Sequence, residues 1–161
     1  MIRAVSMQIG AFSPAVSFLN EKDPSGILVS LEKQYPDFRT WYFEKVLPGI
    51  AVGRRRVLTR MRGDRLVGLA IAKRETERKL CTLWVDPAFR GHGIAAELAD
   101  EAFDWIGSDR PLFTVPEEQL LSFSRLLRRW AFNQTQVVPS YYRLGKHEHV
   151  FNGKLEPTWP S

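Results

Sequence analysis

Apolar segments separated by turn residues predict several β-strands in this chain. Residues 57–61 and 66–72 flank the sequence Arg62-Gly63-Asp64-Arg65. Because Gly-Asp tolerates the positive φ angles of a tight turn, this stretch is typical of a β-hairpin. Further strands are predicted at residues 1–9, 80–85, 111–115, 136–138 and 148–151.

Helical spacing of apolar residues separates these strands. Two short helices are predicted before the hairpin, with the second ending at Pro48-Gly49. A third, amphipathic helix follows residue 93, and a fourth begins at Pro116 and continues to about residue 131. Strands interrupted by helices favour an α/β or α+β fold, in which helices flank one mixed sheet.

Composition indicates one globular unit. The chain has 161 residues, of which 44% are hydrophobic, and it shows no internal repeat, so we expect a single domain over residues 1–161. Most aromatic residues fall on predicted core positions, namely Trp41, Tyr42, Phe43, Phe103, Trp105, Phe113, Phe123, Trp130 and Phe132.

The single cysteine, Cys81, allows no internal disulfide. The longest run of apolar residues and glycine, 66–72, is too short to span a bilayer, and polar residues interrupt the first segment, so the prediction is a cytoplasmic protein without membrane contact.

Positive charge is concentrated in the predicted hairpin. The formal net charge is +5, and six arginines lie between residues 54 and 65 with Asp64 as the one acid among them. One interpretation is a surface that attracts phosphate, and the other is a solvated strand face whose charges prevent edge-to-edge pairing.

A glycine-rich turn stands between the strand 80–85 and the third helix. Gly91 and Gly93 allow an anion to approach the free amides and positive dipole end of a helix. The segment lacks the Gly-Lys-Ser/Thr ending of a P-loop, and Ala96 occupies the third glycine position of a dinucleotide-binding motif. The turn therefore predicts a pyrophosphate-type ligand without a magnesium site. No metal site is expected, since His147 and His149 around Glu148 have no further histidine or cysteine nearby in sequence.

The sequence Arg90-Gly91-His92-Gly93-Ile94-Ala95 resembles the pyrophosphate loop of the GNAT superfamily of N-acetyltransferases, written Arg/Gln-x-x-Gly-x-Gly/Ala. The resemblance covers residues 80–107 and, more loosely, the chain from about residue 40. It implies a strongly twisted mixed sheet in which the strand 80–85 splays from the strand 111–115 to form a slot for acetyl-CoA as co-substrate.

The same resemblance implies which residues hold the cofactor. Backbone groups of the splayed strand would bind the pantetheine arm and polarise the thioester carbonyl, and loop amides would bind the pyrophosphate. Trp84 is also placed to line the acceptor pocket. The implied cofactor-binding residues are Leu83, Trp84, Val85, Arg90, Gly91, His92, Gly93, Ile94 and Ala95.

Direct attack of an amine on the thioester requires a base for the amine proton and an acid for the departing thiolate. Glu77 lies four residues before Cys81 and thirteen before Arg90, a spacing similar to that of the base in several family members. The alternatives are an ordinary solvated charge at Glu77 and deprotonation through a chain of water molecules.

The expected general acid is where the sequence departs from the family. Alignment places Leu127 at the usual tyrosine and Leu120 at an asparagine that precedes it, and neither leucine can donate a proton. Ser124, Tyr141 and Tyr142 are the candidate replacements, and loss of catalysis is the remaining alternative.

The leading hypothesis is an acetyl-CoA-dependent N-acyltransferase acting on a primary amine in a ternary complex, as a monomer or homodimer. A second is a toxin of the same family that acetylates aminoacyl-tRNA. In that case the arginines of the hairpin would form the surface that contacts tRNA or another anionic partner. A third is a non-catalytic module that binds acyl-CoA or nucleic acid.

Overall fold

The structure, a computed structural model, describes residues 26–156 and is built around a six-stranded mixed sheet. The order of strands across it is β1-β2-β3-β4-β6-β5. Neighbouring strands are antiparallel except β3 and β4, which are parallel and join the two halves of the sheet. The strands are β1 (Arg55–Arg62), β2 (Arg65–Arg74), β3 (Arg78–Val85), β4 (Leu112–Pro116), β5 (Gln134–Pro139) and β6 (His147–Phe151). These confirm the predicted strands, apart from the one at residues 1–9, which lies outside the described residues.

Helices lie before, between and after these strands. The helices are α1 (Ile27–Gln34), α2 (Phe38–Trp41), a π-helical turn (Tyr42–Val46), α3 (Leu47–Ala51), α4 (Ile94–Ile106) and α5 (Leu120–Arg129), with short 3-10 turns at Pro87–Phe89 and Glu117–Gln119. The predicted end at Pro48-Gly49 was wrong, because the chain stays helical to Ala51. Pro48 is the second residue of α3, which directly follows the π-helical turn, and Val46 and Leu47 at this junction are both right-handed helical.

Helix α4 covers one face of the sheet. Its predicted apolar face is buried at Ile94, Leu98, Ala102 and Ile106 and packs on β1, β2 and β3. Gly68 of β2 permits this approach, since a Cβ placed there would lie 2.7 Å from Ile94 Cγ2 and 2.9 Å from Leu98 Cδ1. The absence of a side chain in β2 therefore sets how closely α4 approaches the sheet.

Helices α1 to α3 cover part of the opposite face. Residues such as Ile27, Phe38 and Tyr42 form a second apolar cluster there with β2 and β3. Phe43 does not join it: its side chain is 49% exposed, so its predicted core position was wrong. Within residues 26–156, no helix combines the length and apolar character needed to cross a membrane.

Candidate active site

The two parallel strands at the centre of the sheet separate along their length. β3 and β4 are paired through only two pairs of residues, Lys79 with Leu112 and Leu80 with Phe113. Beyond these pairs β3 continues to residue 85 without pairing to β4. The splayed pair and the slot between the strands are therefore as predicted.

A β-bulge lies where the strands separate. On β2, Ile71 faces Thr82 and the next residue, Ala72, faces Leu80, so Cys81 is the extra residue of β3. A bulge bends its strand and increases the local twist. The bend directs the last part of β3 away from β4 and opens the slot.

The glycine-rich turn leads from the end of β3 to α4. Gly91 and Gly93 both have φ of 82°, a left-handed conformation that side chains disfavour, and Gly93 is the N-cap of α4. A Cβ on either glycine would have no atom within 4 Å, so glycine is required there by the backbone angle and not by lack of space. The first amides of α4 have no acceptor within the helix and are available to an anion.

Side chains fix this turn to the end of the strand. The Arg90 Nε donates to the Val85 carbonyl at 3.3 Å, and the Asp86 carboxylate accepts a hydrogen bond from the Ala88 amide at 3.0 Å. Arg65 of β2 lies 2.6 Å from the buried Asp86 carboxylate. These contacts hold the turn in place before any ligand binds.

A cavity of about 500 Å³ occupies the slot and reaches the glycine-rich turn. Eight of the nine predicted cofactor-binding residues line it, and His92, which is exposed on the turn, does not. The predicted residues that line it are Leu83, Trp84, Val85, Arg90, Gly91, Gly93, Ile94 and Ala95. Its opposite wall includes Thr114 of β4 and Arg125 and Arg129 of α5. The cavity therefore extends from the N-terminus of α4 to the point where β3 and β4 separate.

A buried carboxylate lies behind the inner end of the slot, in contact with the lining residues Tyr35 and Thr114 without itself lining the cavity. Glu148 of β6 is 4% exposed, accepts hydrogen bonds from the Tyr35 hydroxyl at 3.4 Å and from Thr114, and has its pKa raised by burial to about 7. Tyr142 lies beside it, and burial together with the nearby Glu148 raises the pKa of Tyr142 well above its ordinary value. Lys79 Nζ donates to the Tyr142 hydroxyl at 3.4 Å. Near neutral pH the arrangement holds a carboxyl group that can accept a proton and phenols that keep theirs.

The structure separates the catalytic candidates taken from the sequence. Glu77 lies in the β2–β3 turn, its carboxylate is 3.0 Å from Lys73 Nζ, and it does not line the cavity. The Ser124 hydroxyl donates to the Leu121 carbonyl at 2.7 Å and is also outside the cavity lining. Tyr141 donates its hydroxyl proton to the Glu156 carbonyl at 2.6 Å, and Tyr142 alone of the four lies in the buried cluster. Of the four candidates, Tyr142 is the one placed beside the buried Glu148, and the acid and base roles of all four stay predictions.

Glu148 and Tyr35 were not among the site residues predicted from the sequence. The signal for Glu148 is its position in β6, where it alternates with His147 and His149 and shares the buried side of the strand with Val150. An acidic residue on the inward face of a strand is uncommon unless it is paired or functional. Tyr35 carries no comparable signal, since it meets Glu148 across 113 residues of sequence.

The six arginines of the hairpin do not form one surface. Arg55 is buried, Arg60 pairs with Glu101 at 2.8 Å and Arg65 pairs with Asp86. The other three are exposed, namely Arg54, Arg56 and Arg62. Half of the cluster therefore has contacts within the protein.

Among residues 26–156, no three side chains of the kinds that bind metals come together.

Comparison with known proteins agrees with the fold. The model of the Acetyltransferase (GNAT) family matches residues 18–114, which is more than half of the chain. No curated protein matches this sequence. The chain resembles the crystal structure of nourseothricin acetyltransferase with 16% identity and a TM-score of 0.54, over 61% of this chain and 64% of that one, which is less than two thirds of its length.

Two further structures share the fold. An acetyltransferase of Bacillus subtilis in complex with CoA aligns with 13% identity and a TM-score of 0.51, over 70% of this chain and 85% of that one. A spermidine N-acetyltransferase chimera from Vibrio cholerae and hSSAT aligns with 15% identity and a TM-score of 0.50, over 65% and 70%. With its splayed strands, its glycine-rich turn and a match over residues 18–114, the chain belongs to the GNAT acetyltransferase family.

Proposed function

We propose that this protein is an acetyl-CoA-dependent N-acetyltransferase that moves the acetyl group to a primary amine by direct attack in a ternary complex. One observation carries the proposal: a cavity runs from the glycine-rich turn to the gap between β3 and β4, and two of its lining residues there, Tyr35 and Thr114, hydrogen-bond to the buried Glu148. Acetyl-CoA as co-substrate is supported by the CoA bound in the Bacillus subtilis structure of the same fold.

The cofactor would lie along the slot. Backbone groups of residues 83–85, which are not paired to β4, are available to the pantetheine arm and the thioester carbonyl. Amides of the turn and of the first residues of α4 would bind the pyrophosphate. Arg125 and Arg129 lie on the opposite wall, and their positive charges would bind a further phosphate of CoA.

Glu148 is the proposed base. An alkylammonium must lose a proton before its nitrogen can attack, and a carboxyl group with a pKa of about 7 is ionised in about half of the molecules at neutral pH. Glu148 takes this first proton and passes it to solvent, the free amine nitrogen bonds to the thioester carbonyl carbon, and Glu148 takes the second nitrogen proton as the amide forms. This assignment replaces Glu77, whose carboxylate is paired with Lys73 at 3.0 Å in the β2–β3 turn.

Tyr142 is the proposed acid. When the carbon–sulfur bond breaks, the CoA sulfur takes the phenolic proton of Tyr142, and solvent later returns a proton to the phenolate. The raised pKa keeps this phenol protonated at neutral pH but also makes its proton harder to release. Transfer to the sulfur therefore depends on Lys79 Nζ, 3.4 Å away, which stabilises the negative charge that develops on the phenol oxygen. Of the general acids predicted from the sequence, Tyr142 is the one that lies beside Glu148.

Release of CoA thiol tests the proposal directly. The protein is incubated with acetyl-CoA and a panel of primary amines that includes spermidine, amino acids, peptides and aminoacyl-tRNA. Glu148→Gln should lower kcat/KM by about 100- to 10,000-fold, and Tyr142→Phe should lower kcat by a comparable factor. Glu77→Gln is the matched control, since it removes the same charge outside the cavity, and it should retain activity.

The panel also separates the alternatives. Binding of CoA without release of thiol in the presence of any amine would support a non-catalytic module and refute the proposed activity. Aminoacyl-tRNA as the one accepted acceptor would support the toxin hypothesis. The hairpin gives that hypothesis little support, because three of its six arginines are buried or paired within the protein.

A further inference from the structure

Three positive charges are buried side by side next to the slot. Arg55, Lys73 and Lys79 are neighbours across β1, β2 and β3 in the register of the sheet. Their exposures are 6%, 6% and 5%. Burial of a charge is costly unless a partner of opposite charge compensates it.

Compensation is incomplete within the part of the chain that the structure describes. Lys73 Nζ lies 3.0 Å from Glu77 and 3.8 Å from Glu75. Neither Arg55 nor Lys79 lies within ion-pair distance of a carboxylate of residues 26–156: Arg55 donates to the Cys81 Sγ at 3.6 Å, and Lys79 donates to a tyrosine hydroxyl. The Arg55 Nε is buried with no acceptor among these residues. A buried guanidinium with an unused donor points to an anionic ligand.

Arg55 is held in place by its surroundings. A Cβ at Gly49 of α3 would overlap the Arg55 Cγ, so the glycine makes room for the stem of the arginine. The guanidinium lies 6.0 Å from the centre of the Trp41 ring and touches the Cys81 thiol. Its position is therefore set by α2, α3 and β3 together and does not depend on a ligand.

A small cavity of about 30 Å³ lies beside Lys79, and Arg55 lies behind its wall, in contact with the lining residue Cys81. Lys79, Cys81 and Trp41 line it, together with Tyr35 and Tyr142 of the proposed catalytic cluster. Tyr35 and Cys81 also line the large slot, so the two cavities adjoin at the inner end of the slot. A volume of this size holds roughly two water-sized groups, which corresponds to the two oxygens of a carboxylate.

We propose that this small cavity binds a carboxylate of the acceptor, and that the physiological acceptor is an amine that carries a carboxylate. The inference rests on the proposed function for the transfer step, but not for the binding of the anion. Lys79 contacts the carboxylate in the cavity, Arg55 adds its positive charge from behind Cys81, and the amine of the same molecule extends toward Glu148 and the thioester. The same charges disfavour polycationic acceptors such as spermidine.

Matched acceptors test this specificity. Each amino acid of a standard panel is compared with its own carboxamide, which keeps the amine and removes the negative charge. The acids should be preferred by about 10- to 100-fold in kcat/KM. Arg55→Met should abolish that preference by raising KM for the acids, with little change for the amides. Arg56→Met is the control, because Arg56 is the exposed neighbour on the same strand and loses the same charge.

A binding measurement separates this inference from the proposed function. Calorimetric titration of N-acetyl amino acids and their amides into CoA-saturated protein requires no turnover. Binding of the acids that Arg55→Met weakens at least tenfold and Arg55→Lys partly restores would support the site even if no amine were acetylated. Circular dichroism and Tm show whether each variant is folded, and Lys79→Met provides a second test if Arg55→Met is not.

Two results would overturn the inference. The first is acetylation of amines at equal kcat/KM with and without a carboxylate, which would leave the proposed function intact. The second is equal affinity of the folded Arg55→Met variant and the unaltered protein for N-acetyl amino acids. Absence of both turnover and carboxylate binding would refute the inference and the proposed function together.

Discussion

Replacement of Glu148 by glutamine should stabilise the fold at alkaline pH and impair catalysis. In the folded protein, burial raises the pKa of Glu148 from the ordinary 4.5 to about 7. A carboxyl group whose folded pKa is raised opposes folding when it is ionised, so its penalty is absent below pH 4.5, grows between pH 4.5 and 7 and is constant above. A difference of about 2.5 pKa units at 1.36 kcal/mol each amounts to about 3 kcal/mol. Glutamine resembles the protonated acid and carries no such penalty.

Urea denaturation of both proteins at pH 4 and pH 8 measures this effect. The free energy of unfolding of Glu148→Gln relative to the unaltered protein should rise by about 3 kcal/mol between the two pH values. Other carboxyl groups titrate in both proteins, so their contributions cancel in the difference. The kcat/KM of the unaltered protein should rise with an apparent pKa near 7, and this rise should be absent from the variant. A stability difference that is the same at pH 4 and pH 8 would refute the buried, ionisable state of Glu148.

Three other substitutions test how the fold supports the site. Gly68→Ala should destabilise the protein by about 1–3 kcal/mol, measured by urea denaturation, because its Cβ would crowd Ile94 and Leu98; unchanged stability would contradict the close packing of α4. Gly93→Ala should cost about 1–2 kcal/mol in folding and weaken CoA binding in calorimetry, because φ is 82° at this position; unchanged affinity would show that the turn does not hold the cofactor. Arg125→Gln should raise the Kd for CoA more than it raises the Kd for the dephosphorylated form of CoA. An equal increase in both Kd values would show that Arg125 does not bind this phosphate.

The strand, turn and helix on one side of the slot could be predicted because they are continuous in sequence. The strand, the glycine-rich turn and the first turn of α4 occupy residues 78–97, and each is specified by local rules: β-forming residues, glycines at positive φ and an amphipathic period. The ligands there are largely backbone amides, whose positions follow from secondary structure alone. The π-helical turn and the continuation past Pro48 could not be predicted in this way, because they depend on packing against β2 and β3.

The acceptor half could not be predicted, because its residues come from distant segments of the chain. Tyr35 follows α1, Arg55 begins β1, Lys79 is the second residue of β3 and Glu148 lies in β6, and of these Glu148 alone has a sequence signal, its inward position in a strand. They become functional only where the sheet buries them next to one another, which a local pattern does not encode. Arg55 illustrates the difficulty: it and Arg56 are adjacent and chemically identical, but strand alternation directs the first inward and the second to solvent.

This division also explains how acceptor specificity can change while the cofactor site is retained. A slot built from backbone groups tolerates side-chain substitution, because the amides of residues 83–95 remain in place whenever the strand, turn and helix form. The small cavity depends instead on individual side chains, and exchange of Arg55 or Lys79 would alter its charge without disturbing the splayed strands. Members of a family with this fold can therefore share a cofactor and differ in acceptor. For this protein, the buried cations favour an acceptor of negative charge, a property that neither the fold nor the glycine-rich turn determines.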